Sequence, residues 1–319
     1  MTLLLNRSDL ESLLDPAGCL AALRQGFAAG PGDVTARRVV TSLPGPGSAT
    51  ALIPGLIEGV PAYTVKVNAK FPGTRPALRG VVCLHDLHTG ELLALLDSAT
   101  VTAWRTGLAA ALGTHALARR DAGTVAVIGA GAQADLVLTG LAALRQVREL
   151  VVCDLDTARA AGFAERHGLR LGVPATTAAD ARAAAQGAGI VVVATWARRP
   201  LLNAGDVAAG THVTSLGADE PGKTELGADL LEGARVVVDD VALAVEMGVL
   251  AGAGLDVEHA AGTLRDLLSG QVPGRVKDSE ITVYAPVGLP WQDLAVAWAV
   301  YGAARSAGTG AGTSFDFLG

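Results

Sequence analysis

Between Thr124 and Asp240 the chain alternates short, almost uninterrupted apolar runs with longer alanine-rich segments that carry scattered charges. The runs TVAVIG, ELVVCDLD, IVVVAT, THVTSLG and RVVVDD have no regular polar alternation, so each is expected to be a short strand buried on both faces. Helical segments such as TTAADARAAAQGA separate several of them, and strands of this kind alternating with helices imply a parallel sheet covered on both sides. A doubly wound, Rossmann-type α/β domain is therefore expected over residues 120–290.

The first 119 residues lack that rhythm. Ser8-Asp9-Leu10-Glu11 has capping-box spacing and is expected to open a helix that Pro16 interrupts, with AGCLAALRQGFAAG continuing it to Gly30. PGPGSAT marks a loop, VVCLHDLHTGELLALLD reads as a hairpin around HDLHTG, and a long alanine-rich helix follows from about Ala99 to Arg120. The segment PWQDLAVAWAVYGAARS returns to helix, with Pro290 suited to a first turn and an apolar stripe through Leu294, Ala297, Trp298 and Tyr301. AGTGAGTSFDFLG reads as a loop. Residues 1–119 and 291–319 are thus expected to form a discontinuous α+β domain.

One strand in that region has an odd pattern. In YTVKVNAKFPGT a period of two puts Lys66, Asn68 and Lys70 on one face and Val65, Val67 and Ala69 on the other, with the end of the strand expected at Pro72-Gly73. Only four of the 25 basic residues are lysines, so two of them four apart in an apolar run need a reason.

Composition narrows the classes. Half of the 319 residues are hydrophobic and mean hydropathy is +0.39, yet no apolar run reaches the roughly 18–20 residues that span a bilayer. The excess reads as a well-filled core with an oligomer interface. MTLLLNRSDLESLL has no basic residue before its apolar triplet, which argues against a targeting peptide and for the cytoplasm. A net charge of −6 without a basic stripe argues against nucleic acid as a partner. Cys19, Cys83 and Cys153 lack disulfide or zinc spacing and read as buried thiols, and the six histidines show no metal-ligand spacing.

Gly129-Ala130-Gly131-Ala132-Gln133-Ala134 is the dinucleotide fingerprint in its GxGxxA form, directly after an expected strand and opening a helix. The first glycine permits a tight turn, the second lets backbone N–H groups approach a pyrophosphate, and the helix amino end offers partial positive charge. Asp154 closes the next strand 23 residues after Gly131, where an acid binds the adenosine ribose hydroxyls and repels a 2'-phosphate. Arg159 comes only on the following helix, so NAD is expected rather than NADP. Thr195, at the end of IVVVAT, is expected on the cofactor side as well, and Asp219 in SLGADEPGKTEL lies just past a strand, at the edge where open sheets bind ligands. Trp196 to Arg199, WARR, borders either the cofactor or a partner subunit.

Together AWRTGLAAALG, VAVIGAGAQA, SLGADEPGKTEL and VGLPWQDLAVAWAVYGAA resemble, in order and across most of the chain, the ornithine cyclodeaminase/mu-crystallin family. The resemblance implies a dinucleotide domain plus a substrate domain that pairs to make a homodimer. It implies a substrate-carboxylate clamp at Arg38, Lys66 and Arg105, an acid/base aspartate at Asp219, and cofactor contacts at Thr106, Gln133 and Lys223. It implies oxidoreduction at the Cα–N bond of a small L-α-amino acid or its imine, of the alanine dehydrogenase or imine reductase kind. The alternatives are an ornithine-type cyclodeaminase with catalytic NAD and a non-catalytic crystallin-like ligand binder. Ala51 in TALIPG stands where ornithine cyclodeaminases carry a glutamate, which argues against ornithine, and Pro286 replaces a serine frequent near the cofactor. The aspartate of GADEPGKTEL is absent from ketimine reductases of the mu-crystallin type, which fit less well.

Overall fold

The computed structural model describes residues 1–30, 38–45, 48–71, 74, 78–308 and 311–317; the expected breaks at Pro46-Gly47 and Pro72-Gly73 lie outside them. The chain divides into two compact units, Met1–Thr106 with Leu289–Gly319, and Gly107–Gly288. This division falls inside the helix Ser98–Leu117, whereas the change of sequence rhythm comes only after that helix. Among the described residues no helix is long and apolar enough to cross a membrane.

The Gly107–Gly288 unit is built on an eight-stranded sheet in the order Ala260–Thr263, Arg235–Val238, Thr282–Tyr284, His212–Ser215, Ile190–Val193, Thr124–Ile128, Glu149–Cys153, Ala175–Thr177. Its pairings are parallel. The chain starts at Thr124–Ile128, moves outward through Glu149–Cys153 to Ala175–Thr177, then crosses back to Ile190–Val193 on the other side. The order therefore reverses between Thr124–Ile128 and Ile190–Val193, and such a switch point leaves a crevice beyond the carboxyl ends of its two strands. Two apolar clusters fill the faces. One gathers Val125, Val127, Val137, Leu141 and Phe163, the other Ile128, Val191, Val193, Leu230 and Val283.

The other unit holds a seven-stranded sheet in the order Thr313–Phe315, Thr2–Leu5, Leu92–Asp97, Leu78–Asp86, Ala62–Lys70, Ala49–Gly55, Val39–Ser42. The five strands from Val39 to Asp97 form an antiparallel meander that includes the expected hairpin. Both edges of the chain depart from the sequence reading. Thr2–Leu5 joins Leu92–Asp97 in parallel, and Thr313–Phe315, read as loop, pairs antiparallel with it. Three residues with a single apolar side chain, Phe315, are too short to show a period, so only the partner strand makes Thr313–Phe315 a strand. The first helix is capped by Asn6 rather than Ser8: Asn6 and Asp9 exchange side-chain and backbone hydrogen bonds. Asp15 caps the second helix, Pro16–Ala29, with its proline in the first turn. Pro290 precedes the helix Trp291–Ala307 at its N-cap instead of entering the first turn.

The strand Ala62–Lys70 is inverted relative to an ordinary amphipathic strand. Thr64, Lys66 and Asn68 form the buried row, while Val65, Val67 and Ala69 are only partly covered. On the less covered face Val39, Leu52, Val67 and Val81 stand directly opposite one another across four strands, and Val39, Leu52 and Val81 are exposed.

Candidate active site

The buried row leads to a cluster of charges within the first unit. Lys66, 2% exposed, places Nζ 2.7 Å from Oδ2 of Asp293, which is 1% exposed, and 3.4 Å from the Thr102 hydroxyl. Oδ1 of the same Asp293 lies 3.5 Å from Arg105 Nε. Arg105 Nη1 donates to Gln292 Oε1 at 3.0 Å, and that oxygen also accepts from the Leu289 N–H. One carboxylate thus stands between two cations, with Gln292 bracing the second. Burial pushes the Lys66 ammonium down to about 8; the Asp293 carboxylate pulls it back up, while the charges of Arg105 and Arg38 act with burial. Arg38 is exposed, but its charge is felt at Lys66, so the three expected clamp residues are brought into one electrostatic field.

Two donors in this cluster, Arg105 Nε and Gln292 Nε2, are buried without a hydrogen-bond partner. Unpaired buried donors are costly, and beside a net positive charge they suit an anion with several acceptor lone pairs. Asp293 and Gln292 were missed in the sequence. Their signal is visible in PWQDLAVAWAV: an amide and an acid sit side by side at the start of a helix whose first seven residues, Trp291 to Ala297, are all buried. Polar groups there need internal partners. Thr106 follows Arg105 on the same helix and is partly buried, as are Trp104 and Ala103.

In the second unit the glycine turn has the geometry that its sequence implies. Gly129 adopts φ +93°, and a Cβ there would come within 2.4 Å of the Ala194 carbonyl oxygen, so the turn admits no side chain. At Gly131 a Cβ would meet nothing within 4 Å, which leaves open space over the backbone. Gly131 caps the helix Ala132–Leu144 with no side-chain hydrogen bond, and Gln133 Oε1 is buried without a partner. Open space, uncapped N–H groups and an orphaned amide fit a ligand with a pyrophosphate and polar edges. Asp154 accepts from the Ala130 N–H at 2.8 Å and from the Asp156 N–H at 2.9 Å. Arg159, separated from Asp154 in sequence, comes back to within 3.5 Å of it because the first turn of its helix folds over the strand end.

Beyond the strand His212–Ser215, Asp219 is 46% exposed, and Lys223 donates to its Oδ1 at 2.7 Å. Lys223 also lies 3.4 Å from Glu220 and 4.5 Å from the centre of the Trp196 ring, which is largely exposed. Trp196 and Lys223 meet because Arg198–Leu202 and Thr224–Leu226 pair in parallel. Lys223 is therefore tied to the acid/base candidate, and Thr195 is also engaged internally. Its N–H and hydroxyl both donate to the buried Glu225 Oε1, at 2.6 and 2.7 Å, while Glu225 Oε2 accepts from the Ser215 hydroxyl and the Gly217 N–H. Burial raises the Glu225 carboxyl, and the four donors oppose that rise. Glu225 gives no pattern signal of its own, since polar segments such as PGKTEL are ordinarily surface turns; only the strand ends packed around it reveal its role.

The chain belongs to the ornithine cyclodeaminase/mu-crystallin family, whose model matches residues 7–308. It is 33% identical over 248 residues to an alanine dehydrogenase of Archaeoglobus fulgidus, covering 75% of each chain. Among solved structures it is similar to an archaeal alanine dehydrogenase dimer with bound NAD, at a TM-score of 0.92 and 28% identity over 99% of both chains. It is also similar to the Thermococcus litoralis Δ1-pyrroline-2-carboxylate reductase in complex with NADH and L-proline, at 0.91 and 29% over 98% of this chain and 100% of that one.

Proposed function

We propose that this protein is an NAD-dependent oxidoreductase acting on the Cα–N bond of a small L-α-amino acid or its imine. The observation that carries this reading is the buried Lys66–Asp293–Arg105 cluster. Two cations and one anion leave a single positive charge beside two donors without a hydrogen bond, and one carboxylate complements that set. Arg38 adds charge at the rim. Holding the carboxylate fixes Cα, and positioning of this kind lowers a barrier by several kcal/mol, roughly 7–11 at best.

Gly129, Ala130, Gly131, Ala132 and Gln133 would hold the dinucleotide phosphates and Asp154 the adenosine ribose, with Thr195 and Lys223 serving the same pocket directly or by shaping it, while Thr106 follows Arg105 in the clamp's own unit. When bound, NAD supplies the hydride acceptor, or as NADH the donor in the imine-reducing direction. Asp219 takes the proton from the amine as the C–N bond becomes an imine and returns it in the reverse direction. Lys223 holds its Oδ1 and keeps the carboxylate oriented. The clamp belongs to one unit and the dinucleotide turn to the other, so the reaction requires both. The exposed row Val39, Leu52 and Val81 supports a homodimer joined through this sheet face, and the supply of free NAD and amino acids favours the cytoplasm.

The test is a screen of L-amino acids with NAD, analysed by mass spectrometry. Net NADH with a keto acid is expected; proline or pipecolate without net NADH would mean cyclodeamination. Lys66→Met is expected to abolish turnover and leave NADH binding nearly intact. Loss of NADH binding with retained affinity for the amino acid would reverse the assignment of the two sites.

A further inference from the structure

The buried row of Ala62–Lys70 holds one polar group that the clamp does not use. Asn68 lies two residues beyond Lys66 on the same face, which sets their Cα atoms about 6.6 Å apart. It is 8% exposed, and its Oδ1 is buried without a hydrogen-bond partner. A buried amide oxygen with nothing to accept from is disfavoured, so its position beside a ligand clamp calls for a donor from outside the chain.

The neighbouring strands supply no such donor from a side chain. The residues directly across from Asn68 are Ala51 on one side and Gly80 on the other, the two smallest side chains available. Neither has a polar side-chain atom with which to satisfy the amide. The charge balance restricts what the donor can be. Asp293, the carboxylate of this cluster, already stands between Lys66 and Arg105, so a second ammonium on the ligand would meet an amide dipole instead of a counter-charge. A neutral N–H or O–H needs only one acceptor, and Asn68 offers one.

We infer that Asn68 reads the substrate side chain, selecting α-amino acids or imines whose side chain carries a neutral hydrogen-bond donor, a hydroxyl or carboxamide, over apolar isosteres and over diamines. This rests on the carboxylate clamp proposed for Lys66 and Arg105. A site that hydrogen-bonds a substrate group discriminates strongly against the analogue without it, because its own polar group is then left unpaired.

The isosteric pair L-serine and L-2-aminobutyrate tests it, with kcat/KM measured with NAD and thermal shift measured with NADH present. The unmodified protein is expected to favour serine by roughly tenfold or more. Asn68→Leu is expected to erase or reverse that ratio, and Asn68→Asp to raise kcat/KM for L-2,4-diaminobutyrate relative to serine. Equal use of serine and 2-aminobutyrate by the unmodified protein overturns the inference and leaves the amino-acid reading standing. An unchanged ratio in a folded Asn68→Leu, or in Asn68→Ala should the leucine variant not fold, overturns it in the same way. If no amino acid is turned over or raises the melting temperature, the clamp reading falls and this inference with it.

Discussion

Two strands at the hearts of the two sheets bury their residues in opposite ways. Ile190–Val193 is apolar at every position and all four residues are fully buried. Ala62–Lys70 buries Thr64, Lys66 and Asn68 and leaves its valines half covered. The first is what hydrophobic burial produces unaided: each side chain contributes about 1.5–3 kcal/mol and no partner has to be found. In the second, Lys66 is met by the Thr102 hydroxyl and the Asp293 carboxylate, which Arg105 and Gln292 flank in turn, while Asn68 Oδ1 has no partner.

The largest expected effect comes from removing the acid that compensates the polar row. Asp293→Ala leaves two buried cations without a counter-charge and is expected to cost about 3–5 kcal/mol in denaturant unfolding. The double variant Lys66→Met, Asp293→Leu is expected to recover most of that loss; no recovery would mean that the pair matters less than the packing of its helix. The apolar sheet has its own buried polar group. His212 is fully buried between Thr282 and Thr214, and burial, together with the charges of Arg275 and Arg145, lowers it to about 3. Between pH 6.5 and 3 the unfolded chain binds a proton there that the folded chain does not, so stability falls as pH drops. The loss is about 2 kcal/mol at pH 5, and His212→Gln is expected to flatten this part of the pH–stability curve.

Lys66 titrates with the same sign in a higher window. With its folded value near 8 and its ordinary value at 10.5, the folded chain releases the proton first, so stability rises with pH across that window. The clamp weakens at the same time. The dissociation constant of a carboxylate ligand such as pyruvate is expected to rise up to tenfold per pH unit above about 8, and a flat profile would remove Lys66 from the clamp. The smallest effect on folding is expected at the exposed row. Leu52→Glu is expected to change monomer stability by no more than about 0.5 kcal/mol, yet to weaken self-association in sedimentation experiments. Unaltered association would place the dimer contact elsewhere.

Which parts of this could be read from the sequence follows from the same contrast. The parallel sheet was legible because apolar runs, glycine turns and helices repeat with a period that local chemistry sets. Its glycine turn, Asp154 and Asp219 were legible for the same reason. The partners of Lys66 were not, because Asp293 lies more than two hundred positions away in sequence and only tertiary packing joins them. Thr313–Phe315 was invisible until Thr2–Leu5 provided its ladder. Arg159 lies on the helix its sequence implies, but its approach to Asp154 comes only from the fold of that helix over the strand end.

Glu225 has a consequence for motion. Through it the amides of Thr195 and Gly217 and the hydroxyl of Ser215 are fastened to one carboxylate. The loops that begin there carry Trp196 and Asp219, so opening either loop root breaks hydrogen bonds to the same carboxylate. In hydrogen–deuterium exchange the Thr195 and Gly217 amides are expected to share one opening free energy, and Glu225→Gln to loosen both together.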